Sequence, residues 1–137
     1  MNSVINIKAK LPNGMVRDFR FAVPRQRPWV LEYQGPDGIA RICEAHDLFQ
    51  ALVQVRQEFE QEGYRLLCVG SRRDVTPSRM SRSMSGGRKA YIVRRGVPAS
   101  KADIVDIFDY AEPEVVGTVK EQQENIRAWF DSIKIRQ

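Results

Sequence analysis

Ile5, Ile7, Ala9 and Leu11 alternate with Asn6, Lys8 and Lys10. A period of two predicts a strand with one buried face. Asn13-Gly14 marks a turn, and Met15, Phe19, Phe21 and Val23 take the odd positions of a return strand that Arg17 interrupts. Keeping apolar opposite apolar sets the register. A two-residue loop pairs Leu11 with Val16 and Ile7 with Arg20, which mixes the faces. A three-residue loop, Pro12-Asn13-Gly14, pairs Leu11 with Met15, Ile7 with Phe19 and Ile5 with Phe21. Gly14 then falls at the left-handed position of a bulged turn.

Pro24 and Pro28 bracket a linker, and a second hairpin follows. It runs WVLEYQ, turns at Gly35-Pro36-Asp37-Gly38, and returns as IARICEA. Both of its faces carry apolar residues, so its register stays open. HDLFQALVQVRQEFEQEG predicts a helix, with Leu48, Leu52, Val55 and Phe59 on one face. Asp47 and Gln50 form a capping box, and Gly63 stops the helix. YRLLCVG is a short apolar run expected to be a central strand. KAYIVRR and ADIVDIFDY predict two further strands. Thr118 and Glu121 cap a last helix whose apolar stripe is Val119, Ile126, Trp129, Phe130 and Ile133. Hairpins first and helices later predict an α+β fold: a mainly antiparallel sheet of about six to seven strands, with two helices on one face.

Length changes this picture little: 137 residues predict a single α+β domain over 1–137. The N-terminus lacks a basic start followed by an apolar stretch, no run is apolar enough for a membrane span, and two cysteines make no disulfide framework. The expected setting is cytoplasmic, without a membrane. Charge changes the picture more. The net charge is +5, but from Arg72 to Arg95 eight bases face one acid, and from Asp103 to Glu124 seven acids face one base. The surplus therefore belongs to one segment, which points to an acidic partner.

Most of that segment lies in SRRDVTPSRMSRSMSGGRKAY, Ser71 to Tyr91, which reads as a long loop between two strands. Loops of that length in compact domains carry function or are disordered. Arginines around Met80 and Met84 suit an adaptable protein-binding surface. The candidate binding residues are Arg72, Arg73, Asp74, Arg79, Met80, Arg82, Met84, Arg88, Lys89 and Tyr91. Asp74 is expected to pair with Arg82 or to accept backbone amides. Catalytic chemistry is thin. Cys43 and the single histidine, His46, form one Cys-x-x-His pair with no second pair, so no metal site is expected. SGGRK precedes a strand, whereas a phosphate loop opens a helix. Asp103, Asp106 and Asp109 read as a solvated edge or as partners of the basic segment. No catalytic residue and no cofactor are expected.

The match at Arg72 or Arg73, Asp74, Val75, Pro77, Ser78, Met80, Arg82, Met84, Gly87, Ala90 and Tyr91, then Glu121 and Gln122, resembles a family of short bacterial proteins. These carry R-x-D-V-x-P-S-x-M-x-R-x-M-x-x-G-x-x-A-Y ahead of an acidic strand and a V-x-E-Q helix. The resemblance covers the second half of the chain, and it departs at Arg79, where members often carry glycine. Such proteins resemble the immunity proteins of secreted bacterial toxins. The resemblance implies a non-catalytic inhibitor that docks on a toxin with its Ser71–Lys89 loop. Nucleic-acid binding by the same loop is the alternative, although stacking aromatics and a recognition helix are missing. An enzyme for an anionic substrate ranks third.

Overall fold

The computed structural model describes residues 2–134. Among these residues eight strands and three α-helices succeed one another. The strands are β1 (Asn2–Lys10), β2 (Val16–Pro24), β3 (Val30–Gln34), β4 (Ala40–Glu44), β5 (Arg65–Leu66), β6 (Val75–Thr76), β7 (Lys89–Ile92) and β8 (Ile104–Asp106). The helices are α1 (Leu48–Gln61), α2 (Arg79–Ser85) and α3 (Val119–Lys134). The α+β class holds, but one sheet becomes two. The first has the order β4-β3-β2-β1-β5 and the second β6-β7-β8, with every pairing antiparallel.

The first hairpin has the register read from its pattern: Ile5 faces Phe21 and Ile7 faces Phe19. The Leu11 amide donates to the Met15 carbonyl, and Gly14 sits at φ 85°. In the second hairpin Leu31 pairs with Cys43 and Tyr33 with Arg41. Leu31 and Tyr33 point inward, while Ile39 and Ile42 point to solvent. The Tyr33 hydroxyl donates to Glu58 at 2.6 Å, and Glu58 also takes Arg41 at 3.0 Å. Burial, aided by the adjacent Glu58 carboxylate, holds that hydroxyl well above its ordinary range.

Helix α1 lays Leu48, Leu52, Val55 and Phe59 over the inner face of the first sheet. The Phe59 ring meets Phe19 edge-on at 5.0 Å. Asp47 caps the helix by accepting the Gln50 amide at 2.7 Å. Its other oxygen takes Arg82 at 2.8 Å, so a single carboxylate serves the cap and the next helix.

Three expectations are corrected. YRLLCVG is not a central strand: β5 keeps only two residues and pairs at the sheet edge with β1. Leu67, Cys68 and Val69 are buried instead between that edge and the 107–111 stretch, through bonds from Leu67 N to Lys8 O, Val69 N to Asp109 O and Ala111 N to Leu67 O. A continuous apolar run satisfied that way looks like a strand without being one. ADIVDIFDY extends only from Ile104 to Asp106 before turning. The helices do not share one sheet face: α3 packs on α1 and β6. A single apolar cluster nevertheless runs from Phe21 and Leu31 through Leu52 and Phe59 to Val75, Ala90 and Ile107.

A buried polar knot joins these layers. Arg56 is 2% exposed and donates to the carbonyls of Gly70 and Gly117, each at 3.1 Å, and to Gln122. Gln122 reaches the carbonyls of Gly70, Arg72 and Val75 at 2.9–3.0 Å. Glu60 takes the first amide of α3, Val119 N, at 2.9 Å. Desolvation pushes the Arg56 guanidinium downward from its ordinary value. Its surrounding carbonyls and Gln122 satisfy the buried charge.

Candidate functional site

The Ser71–Lys89 segment is not an irregular loop. Ser71 and Val75 are buried, β6 pairs with β7, and α2 follows. Ser78 and Ser81 form a reciprocal capping box at 2.9 and 3.0 Å. Gly86 ends the helix at φ 65°. A Cβ there would lie 2.7 Å from the Trp29 ring. The Gly86 carbonyl accepts from Leu48 N and Phe49 N at the start of α1. The end of α2 thereby satisfies donors that α1 leaves open. The glycines of SGGRK thus form a helix stop and a close packing contact.

The ten candidate residues separate into two sets. Arg72 holds Asp74 with both prongs of its guanidinium, at 2.8 and 2.9 Å. This overturns the expected Asp74–Arg82 pair. Arg73 and Asp74 form a turn ahead of β6 that leaves Asp74 within reach of Arg72, whereas Arg82 turns to Asp47 and lies over the Phe49 ring at 5.3 Å. Arg73 donates to the Glu114 carbonyl at 2.9 Å. Arg88 meets Asp106 at 3.1 Å and covers Phe108. Tyr91 stands opposite Thr76, half-buried. These six bind the segment to its own fold.

Arg79, Met80, Met84 and Lys89 do not. All are exposed, Met80 at 70% and Met84 at 79%. Arg79 and Lys89 form no ion pair among the described residues. Arg79, Met80, Ser83 and Met84 share one side of α2. Helix α2 is seven residues long and buries none of them, and its cap, its glycine stop and Arg82 fix its position.

A groove that sequence reasoning missed lies on the other flank of α2. Phe49, Val53, Val75, Ile126 and Phe130 line it, with Arg82 among its polar residues, and its volume is about 570 Å³. Its signal was present in the last helix. The stripe Val119, Ile126, Trp129, Phe130 and Ile133 reads as the packing side of α3, yet only Val119 and Gln122 of α3 are buried, and Phe130 is 54% exposed. The other side of α3 is held by Trp129, which donates to the Val97 carbonyl at 2.8 Å, and by Ser132, which accepts the Gly96 amide at 2.7 Å.

The acids and thiols occupy separate places. Asp103 pairs with Arg94 at 3.3 Å and Asp106 with Arg88, so both serve the basic segment. Among the described residues, no group of three or more His, Cys, Asp or Glu is placed to hold a metal ion. The Cys43 thiol lies against Gln54 Oε1 at 3.2 Å. Burial pushes the Cys43 and Cys68 thiols upward, which opposes formation of nucleophilic thiolates. No described helix is long and apolar enough to cross a membrane. No protein-family model and no curated protein matches the chain.

Proposed function

We propose that the protein is a non-catalytic docking module for a partner with an acidic surface and, within that class, an immunity protein that blocks a bacterial toxin. One observation carries this reading: a short, firmly anchored helix holds Met80 and Met84 in solvent beside two unpaired bases, Arg79 and Lys89. Folding does not explain that exposure, because neither methionine packs on the core. Methionine fills irregular contacts at low strain, and peripheral bases speed encounter with an acidic surface.

The test is a triple variant, Arg79→Glu, Met80→Asp and Met84→Asp, assayed for protection of cells that express the product of the neighbouring gene as the candidate toxin. The expected result is a protein that melts like its parent and no longer protects or co-purifies with that toxin. Undiminished protection by the triple variant would overturn the α2 assignment. Absence of protection by the parent would overturn the immunity reading. Random duplex and single-stranded DNA are expected to give no gel shift at micromolar protein and moderate salt.

A further inference from the structure

The outer face of the first sheet has a composition that folding alone does not require. Helix α1 covers the inner face, where Ile7, Phe19, Phe21, Leu31 and Tyr33 are buried. The solvent face of such an antiparallel sheet is ordinarily polar. Here one cross-strand row reads Val4, Ala22, Glu32, Ile42, each residue paired with the next across four strands. Val4 is 56% exposed and Ile42 is 68% exposed. The neighbouring row adds Asn6, Arg20, Gln34 and Ala40. The surface is concave, enclosing about 690 Å³. Strand β4 borders it as a sheet edge paired only with β3.

We propose that this face is the interface between two copies of the chain. The charges select that occupant. Arg20 and Glu32 lie one row apart on adjacent strands, and neither is in an ion pair among the described residues. A partner of one sign buries the like charge without compensation. A two-fold axis parallel to the strands and passing between Ala22 and Glu32 brings Arg20 of one copy within one row of Glu32 of the other, twice, and pairs these four charges. Ile42 and Val4 then meet across the axis. Four strands spaced about 4.8 Å apart make a face whose outer strands are roughly 14 Å apart. That is the small end of specific interfaces, so association is expected at micromolar rather than nanomolar protein.

Sedimentation velocity between about 1 and 200 µM tests the proposal. The parent should shift from monomer to a species of twice the mass. Ile42→Asp and Arg20→Glu should each stay monomeric, with circular dichroism unchanged because both positions are on the surface. The charge swap Arg20→Glu with Glu32→Arg should restore the dimer. A parent that remains monomeric throughout overturns the proposal and leaves the face to a different protein. A dimer that persists in Ile42→Asp places the contact elsewhere and also overturns it. Failure of the swap to restore association removes the Arg20–Glu32 pairing on which the two-fold arrangement rests.

Discussion

Gln122 shows how much one side chain can hold. Its amide bridges Arg56 to the carbonyls of Gly70, Arg72 and Val75, so the start of the basic segment depends on a residue of the last helix. Gln122→Ala leaves buried carbonyls and a buried guanidinium short of partners, which costs about 2–4 kcal/mol in urea unfolding. Glu121, its exposed neighbour, behaves differently. Its carboxylate accepts the Thr118 amide at 2.8 Å, and that bond holds its pKa below the usual value. A depressed carboxylate adds stability above its unfolded pKa and loses it as pH falls through its folded pKa. Stability should therefore decline below about pH 4.5, and Glu121→Gln should flatten that part of the pH profile while changing little else. Sequence reading found the Thr118–Glu121 cap because caps are local. It placed Gln122 in a motif without its role, because Arg56 and Gly70 are distant in the chain.

Elements were legible where pattern and burial agreed. The first hairpin and α1 repeat at the period of their own structure, and their turn and cap residues are adjacent in sequence. Strand β4 hid its register because Ile42 faces solvent while Arg41 and Cys43 face inward, reversing the usual signal. Helix α2 was invisible for a simpler reason: a helix that buries no residue has no apolar period to read. Two variants separate its folding role from its docking role. Gly86→Ala forces a side chain into a left-handed backbone and against the Trp29 ring, and should cost about 2–3 kcal/mol. Met80→Asp with Met84→Asp touches only solvent and should leave the melting temperature within about 2 °C of the parent. A large destabilisation by the methionine pair would mean that α2 uses those side chains to fold, and the docking argument would lose its basis.

The whole molecule joins two sheets through one core and one polar knot. The apolar cluster contains Phe21 and Leu31 from the first sheet and Ala90 and Ile107 from the region of the second. The knot fastens α1, the 70–75 stretch and α3. Neither sheet should persist without the other, and unfolding should be one cooperative transition. The two tryptophans report on different places. Trp29 is buried against Gly86, and Trp129 is on α3, bonded to Val97. In Trp129→Phe the remaining fluorescence follows the first, and in Trp29→Phe it follows the second. Within each variant, the fluorescence midpoint in urea should coincide with that from far-ultraviolet circular dichroism. Midpoints more than ~0.5 M apart would show separate units. Gln122→Ala is where such a split should first appear, because it removes four of the bonds between the layers and leaves each layer's own apolar contacts in place.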